Sequence, residues 1–227
     1  SGFHRSCFYQ PDHFRYSEPV DALAERFVAE VTNGMAEYAG AEVTANTDIR
    51  AGLLKFATEY DAIDDQARRA AEAVAIAHLR CGAPIITHSE RGTCAMEQIA
   101  MMQGHGVQPS AMLISHTDRN PDIRLHRDIA ATGAYLVYDG ISRTKYFPDS
   151  TIVDLICGMV EARFGGRILL AMDMGPRTMW KSYGGGPGMS YLARTFLPKL
   201  RQAGLSRQQV DTLTTHNPSA ALTFRQD

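Results

Sequence analysis

Five short apolar runs, at residues 49–57, 84–88, 111–116, 134–139 and 167–173, recur along the chain, and a helix-length amphipathic stretch follows each. Strands separated by segments of that length cannot be joined by tight hairpins. They must run parallel, with the intervening helices covering the sheet. The spacing predicts helices over 61–79, 93–102, 121–131 and 150–164, a closing helix over 189–203, and short ones at 206–213 and 218–222. Before the first run, Ser17-Glu18-Pro19 opens a further helix that places Leu23, Phe27, Val28 and Val31 at helical spacing. The fold class is therefore α/β, in one of two forms. An open doubly wound sheet suits five strands in 227 residues. A closed (β/α)8 barrel usually takes about 250 residues.

The ends of the runs favour the barrel. Three finish on a metal-capable side chain: Thr87-His88, Ser115-His116 and Met172-Asp173. A fourth carries Lys55 inside an apolar strand. Parallel barrels gather their chemistry at the C-terminal ends of the strands, so four such residues on four strands would converge on one mouth. A single histidine there is more often a hydrogen-bonded core residue than a ligand, and an aspartate caps a helix about as often as it binds metal. Lys55 is the least ordinary member, because a buried ammonium needs a partner. Two fates are open to it: an ion pair with Glu59 or Asp61, or reaction with carbon dioxide to give a carbamate that bridges two divalent metals.

Composition narrows the partners. A formal net charge of −2 provides no global basic field for nucleic acid or an anionic membrane. No apolar run approaches the roughly 20 residues of a membrane span. The four cysteines lack CxxC spacing and are expected to be free thiols, which with the lack of a signal-peptide core makes a cytoplasmic enzyme the expectation. Gly-x-Ser-x-Gly is absent, which argues against a serine nucleophile. The aromatic opening Ser1 to Tyr16 suggests a chain that starts inside a fold.

The segments Ile49-Arg50-Ala51-Gly52-Leu53-Leu54-Lys55, Pro84-Ile85-Ile86-Thr87-His88, Ile114-Ser115-His116-Thr117-Asp118 and Leu169-Leu170-Ala171-Met172-Asp173 resemble the phosphotriesterase family of the amidohydrolase superfamily. The tail from Phe196-Leu197-Pro198 to Asn217-Pro218 resembles it too. The resemblance implies a (β/α)8 barrel of which residues 1–227, a single N-terminally incomplete domain, supply roughly the end of the third strand through the eighth. It implies two divalent metals, zinc first, with Lys55 carboxylated between them. His88 and His116 would bind the more exposed metal; Asp173 would bind the other and handle protons. The family's His-x-His pair does not occur in this sequence.

Residues 176–188, with Trp180 and a run of glycines, resemble the sugar-lactonase branch of that family. The implied reaction is metal-dependent opening of a sugar lactone such as an aldono-1,4-lactone, phosphorylated or not. Lys145, Arg177 and Tyr183 are the expected anchors of a phosphate or polar sugar tail, in loops where barrels commonly hold phosphate. Trp180 could stack on a sugar or pack on its own loop. His4, Arg5 and Tyr9 are placed to line the pocket, whereas His78 and His126 are expected on helix surfaces or in helix packing. The partner is a small molecule, lactone or ester, and a homodimer is compatible with the sequence. The alternatives are an organophosphate or carboxylic ester hydrolase with the same centre, and a non-catalytic barrel that has lost its metals.

Overall fold

Alternation of side chains sets the first strand, β1, at Leu54–Thr58. Leu54, Phe56 and Thr58 are fully buried on one face, and α2, Asp65–Cys81, packs on this strand. In a computed structural model the structure describes residues 1–37, 40 and 45–225. They divide into two compact units, Ser1–Ile114 with Ala221–Asp227, and Ser115–Ala220.

In the first unit, β1 pairs in parallel with β2, Ile85–Ser89, in the register Leu54↔Ile85 through Thr58↔Ser89. Paired residues share a face, so Lys55, Ala57, Ile86 and His88 lie together on the face opposite Phe56 and Thr87. Small residues make α2 fit closely: Ala67, Ala70, Ala71, Ala73 and Ala77 are all buried, against β1 and α1, Val20–Thr32. Asp64 caps α2 by accepting from Ala67 N at 2.7 Å, and Gly82, at φ 70°, ends it. α3, Ala95–Gly104, follows, and β3, Met112–Ser115, closes the unit with its last residue in the second. Gly2 makes one parallel bridge to Lys55.

The run at 49–57 is strand only from Leu54. Ile49 is 65% exposed and its carbonyl accepts from Met35 N, while Ala51 N reaches back to Glu30 O. Residues 49–53 therefore spend their backbone bonds on α1, the loop after it and the N-terminus, and the ladder starts where Leu54 N meets Pro84 O.

The second unit holds α4, Ile123–Ala131, β4, Tyr135–Tyr138, α5, Asp149–Glu161, and β5, Ile168–Leu170, with β4 and β5 parallel and Leu136 paired to Ile168. The predicted strand at 167–173 is shorter than expected. Ala171 N adds one bond to Tyr138 O, but Asp173 has φ 45°, which no strand accommodates. Asp173 therefore stands in the loop beyond β5. The predicted closing helix is present but not uniform. A π-helical turn, Leu192–Phe196, runs into α6, Leu197–Gln202. α7, Arg207–Asp211, has a capping box between Ser206 and Gln209, and a second π-helical turn leads to α8, Asn217–Ala221. Asn217 donates to Gly165 O and Ile168 O, fixing that end of the chain to the start of β5. Among the described residues no helix is long and apolar enough to cross a membrane.

Candidate functional site

His88 is buried near the end of β2, and its Nε2 lies 3.0 Å from Glu90 Oε2. Glu90 is in turn bonded by Arg5 Nη1 at 2.5 Å, and Arg5 Nε reaches Glu59 at 2.6 Å. Burial opposes ionisation of Glu90, but the bonds from His88 and Arg5 outweigh it and hold the carboxyl below its ordinary range. A carboxylate against Nε2 favours a proton on that nitrogen. His4 packs against the same ring, with centroids 4.5 Å apart. From behind, Gln98 of α3 donates to Thr58 Oγ1 at 2.7 Å and to His88 O at 3.1 Å, locking the ends of β1 and β2 together. The Glu59 that could have paired with Lys55 is engaged by Arg5. Lys55 shares the sheet face of His88, two rungs nearer the start of the strands. Tyr9 turns away into an aromatic cluster, under the Arg15 guanidinium and edge-on to Phe3.

In the second unit, His116 follows β3 in the left-handed region at φ 66°. Its Nδ1 lies 2.7 Å from Asp139 Oδ1, and its backbone N donates to Asp139 Oδ2 at 3.2 Å. Here the carboxylate favours a proton on Nδ1, the opposite nitrogen from that in His88. Arg119 joins this pair to Asp173, at 3.4 Å from Asp139 Oδ1 and 2.8 Å from Asp173 Oδ2. Arg143 bonds the same Asp173 oxygen and donates to its backbone carbonyl at 2.8 Å. Asp118 accepts from Gly140 N at 2.7 Å; a Cβ on Gly140 would meet that carboxylate at 2.6 Å, so only glycine fits. Burial, and then the neighbouring Asp139, push Asp118 up to about 7. His126 is buried between Tyr138 OH and the carbonyls of Thr117 and Asn120, and His78 against Ala83 O, so both are packing residues.

A metal takes a neutral imidazole through its lone pair, with the other nitrogen held by a carboxylate. His88 and His116 each have one ring nitrogen held by a carboxylate in this way. Asp173 differs, because its carboxylate is paired with two guanidinium groups. Among the described residues no three His, Cys, Asp or Glu side chains come together as a ligand cluster. Sequence reasoning did not single out Glu90, Gln98, Arg119 or Asp139. Asp139 gave the best available signal, as a carboxylate at the end of the run 134–139.

The second unit also contains a cleft of about 290 Å³ whose walls include Arg143, Thr144, Lys145, Thr178, Gly186 and Pro187. Lys145 is one of its lining residues. Arg177 and Tyr183 instead stack on each other, with the guanidinium 4.4 Å from the ring centre, and do not line it. The glycine-rich loop is folded on itself: Gly186 N bonds Thr178 O, Gly188 N bonds Met179 O, and a Cβ on Gly185 would meet Thr178 O at 2.2 Å. Trp180 packs within its own loop, donating to Met174 O at 3.0 Å.

Known proteins are similar to this chain. The chain is 34% identical to a phospho-furanose lactonase of Mycoplasmopsis agalactiae, over 99% of this chain and 66% of that protein's length. It therefore spans just under two thirds of that relative. Among solved structures, an amidohydrolase from Mycoplasma synoviae superposes with a TM-score of 0.95 at 32% identity, covering 100% of this chain and 66% of the other. A lactonase from Listeria monocytogenes superposes at 0.86 with 33% identity, covering 94% and 64%. The chain thus supplies part of a (β/α)8 barrel. The phosphotriesterase family model matches residues 1–222, and the chain belongs to that family.

Proposed function

We propose that the protein hydrolyses a sugar lactone, an aldono-1,4-lactone with or without a phosphate. Water adds to the lactone carbonyl carbon, the ring carbon–oxygen bond breaks, and the water proton passes through Asp173 to the departing ring oxygen. The observation that carries this reading is the cationic cleft of Arg143 and Lys145, whose arginine also grips Asp173. A polar or anionic sugar tail held there would lie beside the proton-handling carboxylate. Relatives named as lactonases support the substrate class. Both arginines address Asp173 Oδ2, which supports Oδ1 as the oxygen that would carry the proton.

The donors proposed for two divalent metals, zinc first, are Lys55 as its carbamate and His88 in the first unit, and His116 and Asp173 in the second. When bound, such metals lower the pKa of water and polarise the carbonyl. The protein's own residues then have distinct tasks. Glu90 and Asp139 fix the two imidazoles in the ligating tautomer, Arg119 and Arg143 aim Asp173, and Lys145 receives the substrate tail. The test is a substrate panel on the zinc- and bicarbonate-supplemented protein. Turnover of aldonolactones, faster for phosphorylated ones, is expected. Hydrolysis of paraoxon with none of any lactone would overturn the reading, and zinc stoichiometry near zero would support a barrel without metals.

A further inference from the structure

Asp149, at the first position of α5, joins three segments of the second unit. Its Oδ1 accepts from Ser142 N at 2.8 Å, and its Oδ2 accepts from Tyr191 OH at 2.8 Å and Lys199 Nζ at 2.7 Å. Only 8% of the residue is exposed. Burial opposes its ionisation, but the bonds from Lys199, Ser142 and Tyr191 outweigh it and hold the carboxyl below its ordinary range.

Ser142 is the unusual end of this arrangement. It stands at φ 68°, a region that residues with a Cβ avoid, and its own buried Oγ has no hydrogen-bond partner. Its side chain makes no bond that holds the conformation; the Ser142 N bond to Asp149 does so, together with the Arg143 N bond to Gly140 O at 2.8 Å. A backbone kept in a disfavoured region needs surroundings that determine it, and such positions cluster where geometry serves function. The next residue is Arg143, whose guanidinium bonds both the carbonyl and the carboxylate of Asp173, itself at φ 45°. Two left-handed residues that are not glycine are thus linked through one arginine, and the first is pinned by Asp149.

We propose that Asp149 is a positioning residue for Asp173: by fixing the left-handed turn at Ser142 it aims Arg143, which in turn orients the Asp173 carboxylate. Tyr191 and Lys199 make this dependent on the helix that leaves the glycine-rich loop. The cleft beside the anchors and the cleft around Asp149 share Ser142, Thr144, Gly186 and Pro187, so the pinned turn forms a wall of both. The inference rests on the reading of Asp173 as the proton-handling group.

The test is a double-mutant cycle between positions 149 and 142. Glycine adopts the left-handed turn without help, so D149A should cost far less in an S142G background. On the lactone selected by the panel, D149A is expected to lower kcat by about 30- to 100-fold, with KM changing less than about 3-fold, as misaimed groups do. In the S142G background the same change should cost less than about 5-fold. D149N keeps a carbonyl for Ser142 N and loses the charge on Lys199; it should retain more kcat than D149A. An equal loss in both backgrounds, or D149N as poor as D149A, would mean that Asp149 only balances Lys199, and would overturn the proposal. Hydrogen exchange over 140–147 and 171–176 reads the same coupling without turnover. D149A should accelerate exchange in both segments, and in an S142G background it should not; no change at 171–176 overturns the proposal. If no lactone is turned over while this coupling is present, the functional reading falls and the coupling stands.

Discussion

The two histidines are held in opposite ways. In the first unit, the carboxylate that orients His88 is Glu90, two residues along the chain and a fifth exposed. In the second, the carboxylate that orients His116 is Asp139, twenty-three residues away and nearly sealed from solvent. Local support comes with the strand that it serves, and water shares in its stabilisation. Remote support has to be folded into place, and the buried Asp139 also faces the buried Arg119. The second histidine should therefore be coupled to global stability far more tightly than the first.

The largest expected effect tests that difference directly. D139A leaves His116 and Arg119 facing a buried gap, which should cost about 3–5 kcal/mol in urea unfolding. E90A should cost less, about 1 kcal/mol, because Glu90 is partly exposed and water can take the place of its carboxylate. Equal losses would break the comparison. Next, if both carboxylates tune metal ligands, E90Q and D139N should each weaken zinc by about 10- to 100-fold in a competitive chelator titration, despite unequal effects on folding. Q98A removes a buried donor from Thr58 Oγ1 and His88 O, and should cost about 1–3 kcal/mol by thermal or urea unfolding, a remote support within the first unit.

The smallest effect is at acid pH. Asp149 has a carboxyl below its ordinary 3.8 in the folded state, so the unfolded chain takes up its proton first as pH falls. Its contribution is complete above that ordinary value and is lost as pH drops through the lower, folded one. D149N should flatten the fall in stability below about pH 4, and an acid limb steeper than wild type would contradict the sign. Lys199 is 40% exposed, so water screens the pair and the change should be small.

How much of this was legible in the sequence follows from the same contrast. The α/β order, the helix end at Gly82 and the two strands bearing Lys55 and His88 follow from local pattern, and they are present. His78 and His126 are packing residues as expected. The Asp139–Arg119–Asp173 chain was not legible. No spacing tells a strand-end aspartate that its partner is a histidine on another strand. The error at 167–173 has a similar origin, because the apolar run predicts a strand through Met172 while the pairing of Asp173 with two arginines requires a turn. Arg177 and Tyr183 are expected as anchors because loops of that composition face ligands, and their contact with each other is a cation–ring pairing that loop composition does not reveal.

The π-helical turn at Leu192–Phe196 sets a phase relation. Tyr191 and Lys199 are eight residues apart, which in an uninterrupted α-helix leaves them about 80° out of line. Both nonetheless reach one carboxylate, because the wider turn takes up the difference. Deleting one residue between them would rotate Lys199 by about 100° relative to Tyr191 and separate their targets. This stretch lies partly at the surface, where length changes are usually tolerated, but here the number of residues carries the information. Substitutions should be accepted at its exposed positions, and gaps should not.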